Sequence, residues 1–338
     1  MRYQILRDID SVERIREVWN SMLDENNHLD VFQSPEWVIA WYMQYANDQA
    51  IFCIVFYEDS GDVIGIVPLA IDESTSSINF AGNPLNDCNN IVVKEGHSYL
   101  DILSKVFGII DSVCNAIKHF IIDCIDPSIA GLSDADFKRS GNNVCIENDD
   151  ISVFLQLPSS YQEYLDIISS KKLKKFAYYE RRLFKNDGVE FSRLSSDSDI
   201  DKFITWFKKN KIISLKFSGQ YDQILDQLKE DTFYSFLQIM IKGLLKKKQV
   251  IISYIKIKDQ IIAGGVYFVF HKKIMKYIQS WDYEYRIYNP GTVLDWLMIR
   301  SAIEDNCVIF DFGRGEEEYK YDFGGENKRL LRVIINRE

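Results

Sequence analysis

Hydrophobic positions fall in two rhythms along the chain, and they alternate in a fixed order. Val12, Ile15, Trp19, Met22 and Leu23 recur at helical spacing after a short strand at Tyr3 to Leu6, which predicts an amphipathic helix. Phe32-Gln33-Ser34-Pro35-Glu36-Trp37 opens a second helix. Ser34 suits its N-cap and Pro35 its first turn, with Trp37, Ala40, Trp41 and Tyr45 along one core face. The rhythm then shortens to strands over 51–57 and 63–71, joined by a turn at Asp59-Ser60-Gly61-Asp62. A strand at 77–81, the loop from Gly82 to Asp87, a strand at 90–93, a helix over 99–118 and a strand at 119–125 complete the first series.

Residues 126–150 are polar and punctuated by Pro, Gly, Ser and Asp, so a domain boundary is expected there. The predicted domains are 1–150 and 151–338. The second series runs strand 152–157, helix 161–185, strand 189–194, helices 200–209 and 233–248, then strands 250–257, 261–270 and 273–281. A helix over 291–305, a strand at 308–312 and a last strand at 329–335 finish it. Both halves share helices, a hairpin, a third strand, a helix and a strand, an architectural duplication of mixed α/β class without visible residue identity. Gly264-Gly265 reads as a strand bulge and not as a phosphate loop.

Composition narrows the function classes. With 338 residues, 46% of them hydrophobic, the chain can bury two cores. A formal charge of −10 argues against a DNA-binding protein. No apolar run reaches the length of a membrane span, and the N-terminus lacks a signal-peptide core, so a cytoplasmic protein is expected. The six cysteines form no C-x-x-C pair and the four histidines are scattered, so reduced core thiols and no metal centre are expected. One segment runs against the acidic balance: Lys171 to Lys185 holds seven basic residues and one Glu. It reads as a solvated helix face, or as a surface for an anionic glycan, a nucleotide-linked sugar or a phosphate.

Candidate chemistry concentrates between Trp281 and Lys320. A strand end leads into Asn289-Pro290-Gly291-Thr292, where a helix start leaves amide N–H groups free to hold an anion. The next strand delivers Asp311, Arg314 and Gly315 to its C-terminal end. Asp311 is a proton acceptor or a cap for the Gly313-Arg314-Gly315 turn. Arg314 binds an anionic group or pairs with a neighbouring carboxylate. Tyr319 protonates a leaving thiolate or packs, and Lys320 neutralises charge on a phosphate or acceptor or stands on the surface.

Tyr288-Asn-Pro-Gly291, the following helix, Phe310-Asp-Phe-Gly-Arg-Gly315 and Tyr319-Lys320 resemble the C-terminal signature of the CelD/BcsL group of GNAT acetyltransferases. Phe32-x-Ser-Pro-x-Trp37, Gly65-x-x-Pro68-Leu69 and the basic helix from Ser170 match as well, so the resemblance covers nearly the whole chain. Asp87-Cys88 departs from the group's pattern, in which an aromatic follows the Asp. The resemblance implies two tandem GNAT-like domains, the second binding acetyl-CoA or another acyl-CoA as donor; the first is expected to lack a CoA site, because its loop from Gly82 to Gly96 opens into polar residues and another strand instead of a Pro-Gly helix start. It implies an acyltransferase acting on an amine or hydroxyl of a small-molecule or glycan acceptor, by direct attack in a ternary complex, in association with polysaccharide-synthesis enzymes. Asp311 and Tyr319 become the catalytic candidates. Ser280 and Trp281, through their amides, join Asn289, Gly291 and Thr292 at the donor, while Arg314, Lys320 and Asp87 face the acceptor. Fem peptidyltransferases, which use aminoacyl-tRNA, pair similar domains, so a Fem-like transferase is the alternative, followed by a non-catalytic component of a polysaccharide-synthesis complex.

Overall fold

The computed structural model describes the chain except residues 27–28, 47–49, 73, 114–118, 127–142, 195–196, 219–229 and 337–338. Contacts divide it into two compact units, Met1–Ile151 with Lys328–Glu338, and Ser152–Asn327. The strand that ends the chain thus belongs to the first unit, and not to the second half to which its place in sequence assigns it. Among the described residues no helix is long and apolar enough to cross a membrane.

The first unit contains β1 (Arg2–Leu6), α1 (Ile9–Arg14), α2 (Arg16–Glu25), α3 (Pro35–Tyr45), β2 (Ala50–Tyr57), β3 (Val63–Asp72), β4 (Ser77–Phe80), β5 (Val92–Val93), α4 (Tyr99–Val113) and β6 (His119–Ile125). It also holds the start of β7 (Asn143–Gln156) and most of the terminal strand β13 (Glu326–Asn336). The N-terminal helix expected from its periodicity is two helices, because the backbone at Ile15 leaves helical geometry (φ −96°, ψ 3°). Ser34 caps α3 as its chemistry requires, its hydroxyl accepting the Trp37 N–H at 3.2 Å. The strand expected at 90–93 shrinks to two residues, and the polar stretch 126–150 is already β-strand from Asn143 onward. Strands β2, β3 and β4 form an antiparallel meander, and β6 returns parallel to β4 through Ser77↔His119 and Ile78↔Phe120. Phe52, Ile54, Val67, Leu69, Ile102, Val106, Ile122 and Val333 are buried in one core.

The second unit contains α5 (Tyr161–Ile167), α6 (Ser170–Leu183), β8 (Val189–Arg193), α7 (Ile200–Ser218), α8 (Asp231–Lys246), β9 (Val250–Ile257), β10 (Gln260–Phe270), β11 (Lys273–Trp281), α9 (Pro290–Glu304), β12 (Ile309–Arg314) and the short α10 (Glu318–Asp322). The long helix expected over 161–185 breaks after Ile167. Ile168 is extended, and the Ser169 hydroxyl accepts the Lys172 N–H at 3.4 Å as the N-cap of α6, the local competition that serine offers a continuing helix. Phe176 of α6 stacks on Phe323 at 4.5 Å and Trp296 at 5.0 Å between centroids. Gly264 and Gly265 serve packing: a Cβ at Gly264 would stand 2.7 Å from the Phe203 ring, and at Gly265 3.0 Å from Tyr267. The register shifts of β10 lie on either side of them. Here too a meander, β9-β10-β11, is followed by a helix and by a strand parallel to its third member.

Candidate active site

Strands β11 and β12 pair parallel over only three rows, Lys273↔Ile309, Ile274↔Phe310 and Met275↔Asp311. β11 then runs on to Trp281 without β12 beside it, while Arg314 pairs with Ser152 on β7. The connecting helix α9 starts where β11 ends. Asn289 adopts the left-handed conformation (φ 52°, ψ 50°) with no side-chain cap, Pro290 is the first helical residue, and the first turn closes with Val293 N–H to Asn289 O at 3.1 Å. The amides of Gly291 and Thr292 precede that bond, as donors at a helix N-terminus do. Gly291 is pressed against the strand: a Cβ there would lie 3.2 Å from Gln279 Oε1 and 3.3 Å from the Trp281 ring. Ser280 is fully buried and its hydroxyl has no partner among the described residues.

A β-bulge organises what lies beneath. The register with β10 jumps from Val266↔Ile278 to Tyr267↔Lys276, leaving Tyr277 as the extra residue. In a regular strand Lys276 and Gln279 would point to opposite faces. The bulge turns both toward α9. Lys276 Nζ donates to Asp295 Oδ2 at 2.7 Å, Gln279 Oε1 at 3.2 Å and Tyr319 Oη at 3.4 Å, and lies 4.8 Å from the Tyr319 ring centroid. Gln279 Nε2 donates to Asp295 Oδ1 at 2.9 Å and to Gly291 O at 3.3 Å, tying the ion pair to the helix start. Burial opposes both charges and raises the Asp295 carboxyl, whereas Asp295 and then Tyr319 hold the Lys276 proton above the usual lysine range. Burial also raises the Tyr319 phenol, against the pull of Lys276. From α7 the half-buried Lys211 donates to Gln279 O at 3.1 Å, and burial with the neighbouring Lys276 charge brings its ammonium down to about 8.

The residues singled out from sequence take distinct places. Asp311 is 3% exposed. Its Oδ1 accepts the Gly313 N–H at 2.8 Å and the Ser152 hydroxyl at 3.3 Å, and its Oδ2 pairs with Lys273 at 2.9 Å. Those are the bonds of a turn cap. Lys320 is not a surface lysine: it is buried, and its Nζ donates to the carbonyls of Gly313 (3.0 Å), Arg314 (2.6 Å) and Gly315 (2.9 Å) and pairs with Glu317 at 2.8 Å. Asp311 and Lys320 therefore hold one turn from its two sides, with Arg314 half-buried between them. Tyr319 joins the Lys276 cluster. Asp87 lies in the first unit, half-buried in the loop that follows β4. Sequence reasoning passed over Lys276, Gln279, Asp295 and Lys211. The available signal was Asp295, a carboxylate inside the apolar run Val293 to Met298.

The first unit differs at the corresponding place. β4 and β6 pair over two rows, and the following loop bridges to β6 with side-chain amides. Asn83 Nδ2 and Asn89 Nδ2 donate to Asp123 Oδ1 at 2.8 and 2.7 Å, and Asn86 Oδ1 accepts from Trp37 Nε1 at 2.6 Å. Asp123, Cys124 and Asp149 bring candidate metal ligands within 4.8 Å of one another. Their carboxylates already accept from Asn83, Asn89, the Cys124 amide (2.7 Å) and Arg332 (2.6 Å). The described cysteines, Cys53, Cys88, Cys124 and Cys307, are buried thiols.

Residues 170–321 match the family described as the acetyltransferase (GNAT) domain. No curated protein matches the chain. Among solved structures the chain is similar to FemX, with a TM-score of 0.65 and 11% identity over 98% of this chain and 97% of that one. It is similar to the C-terminal domain of a putative lysylphosphatidylglycerol synthetase from Agrobacterium fabrum, at 0.61 and 12% over 96% and 93%. It also resembles a tandem GNAT protein from the clavulanic acid biosynthesis pathway, at 0.52 and 9% over 99% and 98%. At these identities the likeness is one of fold: two tandem GNAT-like units.

Proposed function

We propose that the second unit transfers an acyl group from acyl-CoA to an amine or hydroxyl of a sugar or polysaccharide precursor. The observation that carries this reading is the divergence of β11 from β12 beside the open start of α9, which offers a slot for an extended donor and a cradle for its pyrophosphate. Two features support the fit: the amides of Gly291 and Thr292, and the tight approach of Gly291 to Gln279 and Trp281. The first unit, whose loop after β4 is tied to β6 by Asn83 and Asn89, takes no donor in this reading.

The acceptor's nitrogen or oxygen attacks the thioester carbonyl, the carbon–sulfur bond breaks, and the thiolate takes a proton, which the proton released by the acceptor replaces, so that none is gained or lost overall. The amide of Trp281 at the unpaired edge of β11 is the donor for the developing oxyanion, while that of Ser280 faces Gly264 on β10. Tyr319, with its hydroxyl beside Lys276, is the group suited to deliver the thiolate proton. Asp311 and Lys320 act by fixing the Gly313–Gly315 turn, which presents Arg314 to an anionic acceptor. Transfer is direct in this reading, in keeping with described thiols that are buried, burial raising those of Cys53 and Cys307.

The likeness to FemX over nearly the whole chain favours one second reading, in which the donor is an aminoacyl-tRNA. Calorimetric titration of the protein with acetyl-CoA, followed by mass analysis of amino sugars and nucleotide-linked sugars incubated with both, tests the first. Binding without turnover would place the error in the acceptor class. No binding of any acyl-CoA, with transfer from aminoacyl-tRNA, would establish the second.

A further inference from the structure

Helix α6 turns one face away from the second unit. Phe176 and Leu183 are buried, and at 3.6 residues per turn the opposite side carries Lys171, Lys174, Tyr178 and Arg181, all exposed. The remaining basic residues of the helix are engaged: Lys172 donates to Tyr321 O at 2.7 Å, Lys175 pairs with Asp322 at 2.7 Å, and Arg182 stacks 5.6 Å from the Tyr288 ring centroid. Lys171, Lys174, Arg181 and the following Lys185 have no hydrogen-bond or ion-pair partner among the described residues. They stand out on a chain of net charge −10.

Large apolar side chains are exposed along the same helix. Ile167, just before it, is 65% exposed, Tyr178 48% and Phe184 at its C-cap 41%. Ile287 is 52% exposed in the neighbouring turn, whose Tyr288 hydroxyl donates to Asn186 Oδ1 at 3.2 Å.

We infer that this face of α6 docks on an anionic lipid bilayer, its lysines and arginine at the phosphate headgroups and Ile167, Phe184 and Ile287 entering the interface. Charge complementarity alone would also suit RNA. Tyr178 and Phe184 offer rings to a base, but Ile167 and Ile287, the two most exposed of the four, do not, and an aliphatic side chain beside lysines is what an interfacial helix buries. The inference concerns where the protein works and does not rest on the acyltransferase reading.

The test is sedimentation of the full chain with vesicles of phosphatidylcholine alone and of phosphatidylcholine with phosphatidylglycerol, at low and high salt. Binding is expected on the anionic vesicles and is lost at high salt. K171E/K174E/R181E should lower the partition coefficient by roughly 100-fold or more, and I167S/F184S several-fold, with melting temperatures unchanged. K105E/K209E/K246E, which alters exposed lysines elsewhere by the same net charge, should bind as the parent does. Absence of vesicle binding, equal loss in the two triple variants, or capture of single-stranded RNA by this face without vesicle binding would each overturn the inference.

Discussion

Lys276 Nζ stands 2.7 Å from Asp295 Oδ2, with the two side chains only 8% and 2% exposed. A pair so buried is fragile to the loss of one member and tolerant of the loss of both. D295N leaves an ammonium without its counter-charge and should cost about 3–5 kcal/mol of unfolding free energy in urea, while K276M/D295L should stay within about 2 kcal/mol of the parent. Equal stability of D295N and the parent would mean that the lysine escapes to solvent and the cluster is not closed.

Gly291 lies where a side chain would meet both Gln279 and Trp281. G291L should weaken acetyl-CoA binding by at least about tenfold, or 1.4 kcal/mol, without unfolding the helix, because the position is the second of α9 and faces the strand. Calorimetry giving an unchanged affinity would move the donor away from this helix start.

D311N separates cap from base. The amide oxygen can keep the Gly313 N–H, but the charge facing Lys273 is lost, so a stability decrease of about 1–3 kcal/mol with turnover per folded molecule preserved is expected. A fall in kcat of roughly 100-fold or more at parental melting temperature would instead make Asp311 the proton acceptor.

Lys211 gives a signed dependence on pH. Its folded-state value, about 8, lies below that of the unfolded chain, so between about 8 and 10.5 the unfolded state binds more protons and this group makes stability rise with pH. K211M should remove that rise, of order 1–3 kcal/mol across the window, and be relatively most stabilising below pH 8. Parallel pH curves of melting temperature for parent and variant would show that Lys211 titrates normally.

The order of elements was legible because each strand and helix carries its own periodicity, and the start of α9 was legible because Pro-Gly after an apolar strand has few other uses. The Tyr277 bulge was not. Alternation along β11 puts Lys276 and Gln279 on opposite faces, and only the register with β10 reverses this. The cluster that depends on the bulge was therefore invisible, although Asp295 in its apolar run marked its place. Lys320 read as a contact for a phosphate or acceptor, or as a surface lysine, because sequence does not reveal three carbonyls converging from a left-handed turn at Gly313 and Gly315 (φ 74° and 97°). The break at Ser169 was missed because the flanking segments keep helical spacing across it.

The return of β13 to the first unit makes the second a continuous insert, 152–327, in a host whose chain is split. Folding of the host must then wait for β13, since Val333 completes its core, whereas the insert can close before β13 is translated. A stop codon before Lys328 would thus injure the amino-terminal half of the protein and spare the half it adjoins.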